Sequence, residues 1–94
     1  MAHDLTFTAT PAQASALDGL AYWIAASRKT RERFPDDLPE LERCRRIVCG
    51  LFDRLDALGV PFWVQNAVAA FADDWRRYVG VYMWPWLVAK GIYK

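Results

Sequence analysis

Apolar residues in this chain recur at helical spacing, in three stretches separated by short breaks that contain proline. In the first stretch, Leu17, Leu20, Ala21, Ile24 and Arg28 follow i, i+3, i+4, i+7 steps, which predicts an amphipathic helix with Arg28 closing its stripe. Thr10-Pro11-Ala12-Gln13 marks its start with an N-cap hydroxyl, a proline at the first helical position and a glutamine placed to close a capping box. Phe34-Pro35 ends it, because the residue before a proline is pushed out of helical geometry. The predicted helix spans Pro11 to Arg33, and Arg28, Lys29, Arg31 and Arg33 sit near its negative end.

In the second stretch Leu41, Cys44, Val48, Leu51, Leu55 and Leu58 alternate steps of three and four, the narrow seam of an antiparallel helix pair, widened by Ile47 and Phe52. Asp37 is placed to cap this helix, with Glu40 spaced to reach back to it. At the far end Gly59 suits the left-handed C′ position, Val60 folds back on Leu55, and Pro61 prevents continuation. A helix over Leu38 to Leu58 follows. The third stretch begins near Pro61 and carries Val64, Val68, Phe71, Trp75, Tyr78 and Tyr82 at the same steps. Gly80 or Pro85 breaks it, and Pro85 opens a short further segment reaching Lys90 before Gly91. Residues 1–9 lack a helical period, and the alternation of Leu5 and Phe7 suits an extended arm lying across the body. The expected fold is all-α: an antiparallel bundle of three helices of about twenty residues, with a short fourth, formed by a single domain over residues 10–94 behind a short N-terminal arm.

Charge bears on partners. Twelve Lys and Arg against eleven Asp and Glu give a net charge of +1, whereas a dedicated nucleic-acid binder carries a clear basic excess. The short loop between helices 1 and 2 gathers Arg28, Lys29, Arg31, Arg33, Arg43, Arg45 and Arg46 at one end, but Glu32, Asp36, Asp37, Glu40 and Glu42 share it. Glu42 is spaced to pair with Arg45 or Arg46. The candidate contacts at this basic end are Arg28, Lys29, Arg31, Arg43 and Arg46.

Catalytic constellations do not assemble from the sequence. Cys44 and Cys49 lie on one helix about 140° apart around its axis, so they cannot form a disulfide and are expected to be reduced core thiols, suited to a reducing cytoplasm. With His3 the only histidine, neither a zinc site nor a Cys–His nucleophile follows. Asp36-Asp37 suits a capping loop, while Asp73-Asp74 precedes Arg76 and Arg77 at ion-pair spacing. Neighbouring carboxylates on a helix point about 100° apart, so neither pair converges on one reacting centre. There is no phosphate-binding glycine loop and no nucleophile elbow, so a non-catalytic chain without a cofactor is expected. Met1 to Thr10 has neither the basic start nor the apolar run of a signal peptide. The most apolar window, Val79 to Ala89, falls short of the roughly 20 residues that span a bilayer, so a cytoplasmic location away from membranes is expected.

Of five Phe, five Trp and four Tyr, nine fall after Pro61, more rings than a domain of 94 residues readily hides. Phe71, Trp75 and Tyr78 follow the core stripe of the third helix, whereas Tyr82, Trp84, Trp86 and Tyr93 arrive at the rim and form a candidate partner-binding patch. The leading expectation is a small helical interaction protein that occupies a larger protein partner as an inhibitor or adaptor. Small inhibitors encoded by phages or mobile elements share this size and lack of motifs, and self-association into a homo-oligomer would use the same patch. A nucleic-acid accessory protein using the Arg cluster is one alternative. Another is a small enzyme or ligand pocket lined by Trp and Tyr, with Gln65 and Asn66 as its polar groups.

Overall fold

The chain enters its first helix through the Thr10 capping box. Thr10 Oγ1 accepts the Gln13 backbone N–H at 3.2 Å, and Gln13 Oε1 accepts the Thr10 N–H at 2.9 Å. This opens α1 (Pro11–Arg33), whose bounds match the sequence expectation. The Gln13 amide also donates to the Leu58 carbonyl at 2.8 Å, which ties the start of α1 to the end of α2 (Leu38–Ala57). A computed structural model describes residues 6–93; His3 and Leu5, on which expectations were placed, lie outside the described residues.

Asp37 caps α2 by accepting the Glu40 N–H at 3.3 Å. Glu40 does not reach back as its spacing suggested, because its carboxylate is held by both the Nε and Nη2 of Arg43 at 2.9 Å. At the other end Gly59 is left-handed (φ 78°), with the Gly59 N–H donating to Asp56 and the Val60 N–H to Leu55, each at 3.0 Å. That pair of bonds is the Schellman closure expected at Gly59.

The third stretch corrects the expectation of one long helix. It is divided into α3 (Phe62–Asp73) and α4 (Trp75–Gly80), followed by α5 (Met83–Ala89). Asp74 makes the break: its extended backbone (φ −96°, ψ 96°) stops α3, and its carboxylate accepts the N–H groups of Arg76 and Arg77 to start α4. Arg77 reaches back to the carbonyls of Ala70 at 2.6 Å and Phe71 at 3.1 Å, satisfying acceptors that α3 leaves open. α5 begins two residues before Pro85, which occupies its first turn, where a missing N–H costs nothing. A second Schellman closure at Gly91 (φ 75°) ends α5, with Ile92 donating to Leu87 and Gly91 to Val88 at 3.0 Å. The extended arm is present at Phe7, whose N–H donates to the Ile92 carbonyl at 2.9 Å and which forms an isolated parallel bridge with Tyr93.

The fold is all-α, and α1 is its centre. Ala16, Leu17, Leu20, Ala21, Ile24 and Ala25 make a buried stripe wide enough for α2 on one flank and α3 with α4 on the other. Leu55, Val60, Val64, Val68, Phe71, Ala72, Met83 and Leu87 complete the core. α2 and α3 both lie on α1 but scarcely meet each other. Consequently only Cys44 and Leu55 of the long α2 seam are fully buried. Cys49 is exposed rather than a core thiol: the rotation that forbids a disulfide with Cys44 also turns it off the buried face. Among the described residues no helix is long and apolar enough to cross a membrane.

Two stability outcomes follow from this packing. Leu55→Ala is expected to cost about 2–5 kcal/mol in urea unfolding, with Leu51→Ala, only half-buried, costing less. Asp74→Ala removes the cap between α3 and α4 and should cost about 0.5–2 kcal/mol. If Asp74→Ala unfolded at the wild-type midpoint with helicity unchanged, the cap would not be what divides the two helices.

Candidate interaction surface

The basic end does not present a continuous positive surface. Most of its charges have partners close by. Arg28 pairs with Asp73 at 2.6 Å, Arg43 with Glu40 at 2.9 Å, and Arg45 with Glu42 at 2.6 Å, the last as the spacing suggested. Lys29 and Arg33 lie over the Trp75 ring at 5.4 and 5.5 Å, and Arg43 over Trp23 at 5.3 Å. Arg31 and Arg46 are exposed and form no ion pair among the described residues. The expected pairing of Asp73 and Asp74 with Arg76 and Arg77 does not form. Instead Asp73 goes to Arg28, Asp74 caps α4, Arg77 turns inward to α3, and Arg76 pairs with Glu32 at 2.8 Å.

Trp75 is the centre of that arrangement. Glu32 accepts the indole N–H at 2.8 Å on one oxygen and the Arg76 guanidinium on the other, while Arg76 lies 4.5 Å from the ring. The hydrogen bonds from Arg76 and then Trp75 hold the Glu32 carboxyl below its ordinary value of 4.5. The cluster fastens α4 to the end of α1.

Three of the four rim aromatics are held within the molecule. Trp86 packs on Phe71 with ring centroids 5.0 Å apart, and Arg77 and Lys90 lie over its face. Trp84 packs against Tyr93 with ring centroids 4.7 Å apart and planes tilted by 60°, and it donates its indole N–H to Asp18 at 2.8 Å. All three are half-buried against the core. Tyr82 alone stands out, with 86% of its surface exposed.

Tyr82 borders an apolar face that the sequence pattern did not single out. On α1, Tyr22 is 52% exposed; beyond it on α4, Val79 is 69% exposed, and Val81 follows. Tyr78 lies between these elements and lines two shallow hollows of about 190 and 170 Å³, one shared with Asp18, Val81 and Tyr82, the other with Tyr22, Lys29 and Val79. Burial first, and then the nearby Asp18 and Tyr22, raise the Tyr78 hydroxyl above its usual range, so it stays neutral. The hollows are smaller than the roughly 300–1,000 Å³ of small-molecule sites. Their walls suit side chains of an opposing surface. The available signal was an apolar residue off the core stripe on each helix, Tyr22 beside Ala21 and Val79 beside Tyr78, but it reads as a patch only once α4 is seen to lie on α1.

Gln65 and Asn66 do not converge on a pocket. Gln65 is buried and donates to Asp56 at 2.8 Å and the Val60 carbonyl at 2.9 Å, locking the α2–α3 turn. Asn66 is exposed in the trough between α2 and α3. Among the described residues no group of His, Cys, Asp and Glu is placed to hold a metal. Comparison with protein-family models, curated proteins and solved structures gives no match to this chain.

The half-buried rings and the Glu32 cluster give two measurable outcomes. Trp86→Ala should lower unfolding stability by about 2 kcal/mol or more, whereas Tyr82→Ala should stay within about 0.5 kcal/mol of wild type. Because the folded Glu32 value is lowered, its stabilisation is present above about pH 4.5 and is lost as pH falls through the folded value. Glu32→Gln should therefore flatten the acid limb of the stability–pH curve, and superimposable wild-type and variant curves would exclude a role for this carboxylate.

Proposed function

We propose that this chain is a non-catalytic helical interaction protein that binds a larger protein, as an inhibitor or adaptor, through the face formed by Tyr22, Tyr78, Val79 and Tyr82. The observation that carries the reading is the exposure of two tyrosines and two valines side by side around a half-buried third ring. Scattered exposed apolar residues are ordinary, but a contiguous patch rimmed by charge is characteristic of a contact surface. Tyrosine is suited to such contacts, since it buries a large rigid area and carries a hydroxyl that can stay hydrated or find a partner. Asp18 and Lys29 supply the charged rim.

The basic end supports the nucleic-acid alternative less well, because Arg28, Arg43 and Arg45 are engaged by carboxylates and Lys29 and Arg33 by Trp75. Salt separates the two readings. Phosphate contacts weaken steeply with ionic strength, while an apolar face does not.

The test compares wild type with Tyr82→Ala and Val79→Ser, two exposed positions whose replacement should leave the melting temperature nearly unchanged. Capture from lysate of the native host, after nuclease treatment and at raised salt, should retain a protein that both variants lose, with at least about tenfold weaker binding. Sedimentation of the purified chain identifies the partner as a second copy if the variants instead abolish self-association. Retention of the same protein by both variants at wild-type affinity would remove the aromatic face from the function.

A further inference from the structure

The face that carries Tyr22 also carries a pattern of charge. Asp18, Tyr22, Ala26 and Lys29 follow one another on α1 at steps of four, four and three, so they form one line along the helix. Asp18 and Lys29, both exposed, end that line. They lie about 16 Å apart along the axis and only about 20° apart around it. Each hollow beside Tyr78 contains one of these charges. Asp18 is the only charged residue lining the hollow of about 190 Å³, and Lys29 the only one lining the hollow of about 170 Å³.

Neither charge is neutralised by its neighbours. Asp18 accepts the Trp84 indole N–H on one oxygen, and that neutral donor leaves the carboxylate its charge. Lys29 lies 5.4 Å from the centroid of the Trp75 ring, which holds the ammonium without an anion. Glu32, one turn further along α1, is taken by Arg76 and Trp75. Among the described residues neither Asp18 nor Lys29 forms an ion pair. A line with a carboxylate at one end, an ammonium at the other, and a ring and a small residue between them is complementary to itself when turned end for end.

We infer that a second copy of the chain covers this face, the two α1 helices running antiparallel about a two-fold axis with Asp18 of each copy against Lys29 of the other. The register that matches those charges sets Tyr22 over Ala25 and Ala26 of the other copy, which line the hollow beside Lys29. Two small residues leave room there for a ring. Tyr82 lines the hollow of Asp18, so the same axis carries it to the Lys29 hollow of the other copy. Both copies thereby bury the same apolar side chains, as an isologous contact requires. This rests on the reading of the Tyr82 face as a contact surface and adds its regulation: a larger partner must displace the second copy, because both use Tyr22.

Sedimentation of the purified full chain over a concentration series provides the test. Wild type, a chain of 10.8 kDa, should pass from monomer to dimer below about 1 mM. Asp18→Lys and Lys29→Asp each set like charges together at both ends of the contact, and each should raise the dissociation constant at least about tenfold. An equimolar mixture of these two variants should form a one-to-one dimer within about threefold of wild-type affinity, because each introduced charge then meets its opposite. Asp18→Asn keeps an acceptor for the Trp84 indole while removing the charge, and should weaken the dimer about threefold or more. A wild type that stays monomeric up to about 1 mM would overturn the inference. So would wild-type affinity in Asp18→Asn and Lys29→Asp, or a mixture of folded variants that associates no more tightly than either alone. The larger partner is read separately, by capture. If the mixed dimer forms while Tyr82→Ala keeps its captured protein, the second copy stands and the larger partner falls; if capture is lost in Tyr82→Ala but the mixture stays monomeric, the reverse is true.

Discussion

Everything in this fold leans on the apolar stripe of α1. It is the one element on which α2, α3 and α4 all pack, and its Leu17, Leu20, Ala21 and Ile24 are buried beneath them. The alternation of leucine with alanine makes this feasible. Alanine lets a neighbouring helix approach closely on one side while leucine fills the space on the other, as interdigitation at interior density requires. A domain of this size has little other core to draw on, so a helix serving two flanks uses its apolar area twice. The consequence is that α2 and α3 need not touch, and the gap between them is a direct product of the arrangement that stabilises the rest.

Local chemistry makes much of this legible in the amino-acid sequence. The Thr10–Gln13 capping box, the Asp37 cap, and the glycine closures at Gly59 and Gly91 are short-range devices, decided by residues three to five apart. What the sequence could not convey was coverage. The seam from Leu41 to Leu58 shows which face of α2 is apolar, but not that only one neighbour would arrive to bury it. Periodicity reports a direction, and burial depends on what lies in that direction.

The Asp74 break shows a different limit. Val64, Val68, Phe71, Trp75 and Tyr78 keep their rhythm in the sequence across it, although the first three are buried in α3 and no residue of α4 is fully buried. A period count cannot detect a break that preserves the period. The informative residue was Asp74 itself, a strong N-cap and a poor occupant of a helix interior. Reading Asp73-Asp74 as partners for Arg76 and Arg77 assumed continuous helix between them. Once the helix divides, those four side chains face different surroundings and pair elsewhere.

The crowding of rings after Pro61 has the same origin. α4 and α5 are 6 and 7 residues long, too short to hold themselves in place by backbone hydrogen bonds. Each is fastened by large side chains carrying a polar atom: Trp75 to Glu32, Trp84 to Asp18, and Trp86 between Phe71 and Arg77. An aromatic ring is well suited to this, since it brings apolar area, a hydrogen-bond donor and a face for a cation while fixing only two rotatable bonds. Most of the cluster is thereby explained by the need to hold short elements onto α1 and α3. Tyr82 and Val79 are not, because they touch little within the molecule and face outward where α4 ends. Phe62 and Trp63 at the start of α3 also stay exposed, but Tyr82 and Val79 are the ones that adjoin Tyr22 around Tyr78, and together they are left to account for in a contact with something else.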